Sequence, residues 1–197
     1  LRKWNLYADL PLQPPAPDER PLRVWAKTFC ERIERGWKTF GSDEKTKPVL
    51  LGYSMGGRLA LHALLENPSL FSAVIVVGAH PGLSSDDFRL QRRMNDAKWA
   101  ERFRVEEWST LVRAWGEQDV FGGGHLRPEN QPDKILLERQ EVDYNRIELA
   151  RAMQLWSLAK QEDLRRYLAG VTLPTLWVTG AQDRRFSPDT LCRAGTA

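Results

Sequence analysis

The sequence predicts an α/β architecture: a mostly parallel sheet with helices on both faces, an inserted helical lid, and a sheet that is incomplete. Three observations carry this. Val49-Leu50-Leu51 and Ala73 to Val77 are short apolar runs with β-branched character. Between them lies a helical pattern of Leu59, Leu61, Leu64 and Leu65. Strand, helix, strand in that order, with continuous rather than alternating apolar strands, describes parallel strands covered on both faces. The third observation is that the next strand pattern, Leu173 to Val178, returns only after a long block of charged helices.

Taken in chain order, Trp4 to Ala8 reads as a short strand ending at Asp9-Leu10-Pro11. The proline-rich stretch from Pro11 to Pro21 cannot hold regular structure. Residues 22–39 carry a helical pattern with Val24, Trp25, Phe29, Ile33 and Trp37 on one face, stopped by Gly41-Ser42-Asp43. The helix after the first buried strand runs to about Glu66, where Asn67-Pro68 ends it. From Ser84 to about Tyr167 there is no strand signal, and Trp108, Leu111, Val112 and Trp115 keep the spacing of one buried helical face. Gly122-Gly123-Gly124 breaks this block. The expected organisation is residues 1–83 as the first part of the sheet domain, 84–170 as the helical lid and 171–197 as the second part.

Composition narrows the class. At 197 residues and 42% hydrophobic content, the chain can bury one good core and a small satellite. The net charge of +3 comes from 29 basic and 26 acidic residues interspersed along the chain. That balance argues against a nucleic-acid partner, while a pI near 9.0 suits an anionic small ligand. Cys30 and Cys192 stand far apart, which fits a reducing, cytoplasmic compartment and no disulfide framework. No apolar run approaches the roughly 18 residues of a membrane span, and no signal peptide is evident. The chain starts at Leu1 rather than methionine, which reads as trimmed or cut from a longer chain. No His/Cys/Asp cluster has metal-ligand spacing. The Gly122–Gly124 run lacks the preceding strand and lysine of a phosphate loop, so no metal or cofactor is expected.

The chemistry concentrates at Gly52-Tyr53-Ser54-Met55-Gly56-Gly57-Arg58. A Gly-x-Ser-x-Gly between a buried strand and a helix is a nucleophile elbow, and it makes Ser54 the candidate nucleophile. A serine on so tight a turn adopts strained backbone angles, and Gly52 and Gly56 provide small flanking positions. The Met55 N–H at the head of the helix can bind an oxyanion. Asp183 follows a late strand in Gly180-Ala181-Gln182-Asp183, at the sheet edge where ligands bind in such folds; it also reads as a simple turn or helix cap.

With these motifs, the chain resembles the 2-succinyl-6-hydroxy-2,4-cyclohexadiene-1-carboxylate synthases, α/β-hydrolase-fold enzymes of menaquinone biosynthesis. The resemblance rests on residues 52–58, on Gly78-Ala79-His80-Pro81-Gly82-Leu83, and on Gly180 through Arg184-Arg185-Phe186. It implies a lyase that eliminates pyruvate from a polycarboxylate cyclohexene through a Ser-His-Asp triad. In that triad Ser54 and Asp183 are catalytic, and the serine–histidine pair removes a ring proton. It further implies that Arg58, Arg92 and Arg139 bind substrate carboxylates, with Tyr53, Met55, Trp115 and His80 lining the site. Arginine suits that task because its fork matches a carboxylate and its charge does not titrate away.

Each residue also has a plainer reading. A helical arginine is usually solvated, and a tryptophan in an apolar stripe is usually core. The sequence departs from the family in two places. None of the three histidines, His62, His80 and His125, follows Asp183, and Leu12-Gln13-Pro14 replaces the glycines expected after Pro11. The expectation is a chain truncated at both ends, with the histidine and the second oxyanion donor outside it, and therefore inactive alone. A serine esterase of the same fold and a non-catalytic binding module or inactive fragment are the other readings.

Overall fold

The structure, a computed structural model, describes residues 21–39, 47–118, 140–181 and 183. The expected strand at Trp4, residues 11–20 of the proline-rich loop, the triple glycine, His125, Arg139, Arg184 to Phe186 and Cys192 lie outside these residues, while Pro21, expected in that loop, is helical. The described residues of Leu1–Arg89 and Leu158–Ala197 form one compact unit, and those of Leu90–Ser157 form another.

The first unit opens with helix α1, Pro21–Thr39. Its proline occupies the first helical position, where a missing N–H costs nothing and a fixed φ helps. Phe29, Cys30 and Ile33 of α1 are buried against Ala63 and Phe71, and Trp25 stacks on Phe29 at 4.7 Å between ring centroids. Strand β1, Val49–Tyr53, leads through Ser54 into helix α2, Met55–Glu66, and strand β2 follows at Ala73–Val77. Leu61 and Leu64 of α2 pack on Val74 and Val76 of β2, with Ala79 and Leu164 completing the cluster. All of Gly57 to Leu64 is buried. The apolar surface of α2 is therefore wider than the stripe its leucines predict.

Strand β3, Thr175–Val178, pairs with β2, and among the described residues the sheet has the order β1-β2-β3, parallel throughout. Pairing Leu51 with Ile75, and Ile75 with Leu176, puts these three on one face. The opposite face, with Leu50, Val74, Val76 and Trp177, packs with α2 in the core. On the first face Leu51, Tyr53 and Leu176 are 53%, 70% and 57% exposed. A parallel sheet is ordinarily buried on both faces; among the described residues this one has three strands and leaves those three side chains exposed on one face.

One further segment joins this unit beyond the strands. Leu164 donates its N–H to the Pro81 carbonyl at 2.9 Å. A one-turn helix at Arg165–Leu168 starts there, and Asp163 accepts the Arg165 N–H at 3.1 Å. Residues 158–170 thus pack with the sheet-containing unit, although the sequence groups them with the helical block.

The second unit is helical. Helix α3, Asp86–Val105, begins in the first unit and continues into the second, with Asp86 and Asp87 in its first turn and Arg102 and Arg104 in its last, the arrangement the helix dipole favours. Helix α4 is Trp108–Gly116 and helix α5 is Arg146–Leu155. Glu107 caps α4, and its carboxyl is pulled down to about 2 by the Ser109 hydroxyl and then by the Ser109 and Thr110 N–H groups. Leu111 of α4 and Ala150 of α5 are buried with Trp99, Ala100 and Phe103 of α3. Arg146 ties α5 to the end of α3 by donating to the Phe103 carbonyl at 2.8 Å.

Candidate active site

The first unit places the chemistry-bearing residues at the carboxyl edge of its sheet. Ser54 follows the last residue of β1, His80 lies three residues beyond β2, and Asp183 lies five residues beyond β3. Parallel strands bring those three ends to the same side. Tyr53 closes β1 and Met55 opens α2, both exposed.

Ser54 sits at φ 52 and ψ −115, among the described residues the one non-glycine position with positive φ. Such a conformation costs about 1–3 kcal/mol for a residue with a side chain. It is held by hydrogen bonds on either side: the Ser54 N–H donates to the Val77 carbonyl at 2.9 Å, and its carbonyl accepts the Arg58 N–H at 3.1 Å. The hydroxyl makes no capping bond to α2, so it stands exposed at the head of the helix rather than serving the backbone. Around it, the first N–H groups of α2 have no carbonyl one turn earlier and carry the positive end of the helix dipole. Together these features suit an exposed hydroxyl beside a place where negative charge can develop.

The glycines divide the work differently from the expectation. A Cβ at Gly52 would meet the Gly56 oxygen at 2.4 Å, and one at Gly57 would meet the Ala79 Cβ at 2.5 Å. A Cβ at Gly56 meets nothing within 4 Å. The close approach of strand and helix therefore rests on Gly52 and Gly57, with open space beside Gly56.

A protein-family model described as alpha/beta hydrolase fold matches residues 44–194. The chain belongs to the alpha/beta hydrolase fold family. Among its relatives is the 2-succinyl-6-hydroxy-2,4-cyclohexadiene-1-carboxylate synthase of Salmonella arizonae, 37% identical over 137 residues, which are 70% of this chain and 52% of that protein. The synthase of the same name from Escherichia coli O1:K1 is 34% identical over 137 residues, with the same 70% and 52% shares. The chain thus spans about half the length of the curated relatives it matches. Among solved structures, MenH from S. aureus superposes with a TM-score of 0.70 at 21% identity, over 91% of this chain and 64% of that one. This last likeness establishes the shared fold.

Within this hydrolase-fold chain the other site residues are placed as follows. Arg58, one helical turn past Ser54, is 9% exposed and donates Nη1 to the Gln161 oxygen at 3.2 Å. His80 is half-buried; its Nδ1 accepts the Gly82 N–H at 3.1 Å, which leaves Nε2 as the ring's protonated nitrogen when neutral. Asp183 is also half-buried and donates its N–H to the Gly180 carbonyl at 3.0 Å. Arg92 and Trp115 belong to the helical unit. There Arg92 Nε lies 2.9 Å from both oxygens of the buried Asp96, and Trp115 packs edge-on against Trp99 at 4.9 Å.

Two buried polar residues carry no sequence signal. Gln161 lies in the run Lys160-Gln161-Glu162-Asp163, which reads as solvated; only the fold shows it to be buried. His62, four residues past Arg58, is also buried, and its Nε2 has no hydrogen-bond partner among the described residues. Burial and then the charges of Arg58 and Arg23 lower its pKa from 6.5 to about 4. A base with a depressed folded pKa is protonated first in the unfolded chain. Its stabilising contribution is therefore complete above about 6.5 and lost as pH falls towards 4. His62→Leu removes this dependence. Relative to that variant, the wild type should lose roughly 2 kcal/mol between pH 7.5 and pH 5. Urea unfolding at both pH values measures it, and parallel pH profiles would show that His62 is not the source.

Proposed function

We propose that the protein is a carbon–oxygen lyase that eliminates pyruvate from a cyclohexene polycarboxylate, as the names and identities of its synthase relatives suggest. The observation that carries this reading is the strained, exposed Ser54 with Arg58 one turn behind it. Ser54 paired with a histidine removes a ring proton. The electron pair forms a ring double bond, the carbon–oxygen bond breaks, and the departing enolate is protonated to pyruvate. Asp183 orients the histidine and stabilises its charged form. The helix head at Met55 stabilises the negative charge that develops. A serine with no base partner keeps an ordinary hydroxyl acidity and does little of this chemistry.

Arg58 gives the site its preference for anions, with Tyr53 and His80 as walls. The partner is a small anionic molecule and the setting cytoplasmic. Among the described residues no helix is long and apolar enough to cross a membrane.

Arg58→Ala in the full-length protein tests the assignment. The KM for the polycarboxylate should rise about 10- to 100-fold, the worth of a charge-assisted hydrogen bond. Turnover of a neutral ester such as p-nitrophenyl acetate should stay within about threefold. Equal losses on both substrates would favour a serine esterase over the lyase.

A further inference from the structure

We infer that Gln161 is a positioning residue, whose buried amide fixes the Arg58 guanidinium and the loop after β2 in one arrangement and so sets the anion affinity of the site. This rests on the reading of Arg58 as a carboxylate receptor. Gln161 is 1% exposed, so its amide must be satisfied within the protein. Its Oε1 accepts from Arg58 Nη1 at 3.2 Å, and its Nε2 donates to the His80 carbonyl at 3.0 Å. A guanidinium only donates and a carbonyl only accepts, so these neighbours permit a single orientation of the amide. The residue thus spans from the elbow helix to the loop that carries His80.

The backbone around it confirms the seat. Leu164 donates to the Pro81 carbonyl at 2.9 Å. Gly82, at φ +129, lies so close that a Cβ would come within 2.3 Å of the Glu162 oxygen and 2.7 Å of the Asp163 Cα. Residues 161–164 are therefore laid directly against residues 80–82.

Charge explains why the residue is an amide. In Gln161-Glu162-Asp163 the two carboxylates have other partners: Glu162 takes the Arg23 Nε at 2.7 Å and Asp163 the Arg165 N–H at 3.1 Å. The neutral member of the run meets Arg58. It orients the guanidinium without adding a negative charge that would compete with an anionic ligand.

The test uses the full-length protein, citrate as the anionic probe by calorimetry at pH 7.5, and fluorophosphonate labelling of Ser54 as a readout that needs no anion. Q161E matches the amide in shape and adds a charge; Q161M keeps its bulk and removes both hydrogen bonds. Both should weaken citrate binding by about tenfold or more, with labelling rates within about twofold of wild type. Citrate affinity unchanged in both variants overturns the inference, as does a parallel loss of binding and labelling, which a purely structural role would produce. R58A is run alongside. Citrate binding lost in R58A but kept in both Gln161 variants removes the positioning role alone. Binding kept in R58A removes the reading of Arg58 on which it rests.

Discussion

If the proposed elimination runs through Ser54, Ser54→Ala is expected to lower kcat of the full-length protein by ~10⁴-fold or more, the usual scale for removing the reacting group of a serine–histidine pair. The same substitution leaves the fold intact. A serine that caps a helix contributes about 1 kcal/mol through its hydroxyl, but Ser54 makes no capping bond to α2. Its backbone is held instead by the Val77 and Arg58 main chains, which alanine preserves. The expected pair of results is a dead enzyme and an unchanged melting temperature. A variant that melts several degrees lower yet keeps its activity would make Ser54 a turn residue and end the catalytic assignment.

Gly52→Ala acts on the opposite quantity. Its methyl group would lie 2.4 Å from the Gly56 oxygen and 2.7 Å from the Gly57 Cα, and both obstacles are backbone. No side-chain rotation relieves that overlap, so β1 and α2 must separate. Their separation opens the contact of Leu61 and Leu64 with Val74 and Val76. The expected loss is roughly 3–5 kcal/mol, at the upper end for a single substitution. Gly56→Ala is the control inside the same motif. Its methyl group meets nothing within 4 Å, and alanine improves helix propensity by ~1 kcal/mol. Chemical unfolding of the two variants checks both. A Gly52 variant as stable as the Gly56 variant would mean that strand and helix do not approach as described.

Much of this was legible in the sequence because it depends on neighbours along the chain. Ala73–Val77 is a strand because five apolar residues, three of them valine, stand between Ser72 and Gly78. The elbow is legible because strand, tight turn and helix are consecutive. Arg92 was legible in part: an aspartate four residues on, at Asp96, is the spacing of a helical ion pair. Gln161 and His62 were not. Gln161 meets Arg58 across 103 residues, a distance no local pattern encodes. His62 is buried because α2 is enclosed from Gly57 to Leu64, which the packing of α1 and β2 decides. The division between Gly52, Gly57 and Gly56 was hidden for the same reason, since a motif records small residues but not which of them is crowded.

The backbone at Ser54 also bears on how such a protein changes over generations. At φ 52 and ψ −115 glycine would sit at lower conformational cost than serine. A lineage released from the need for that hydroxyl could take glycine there and gain stability by doing so. Serine at this position thus stands against the folding preference of its own site.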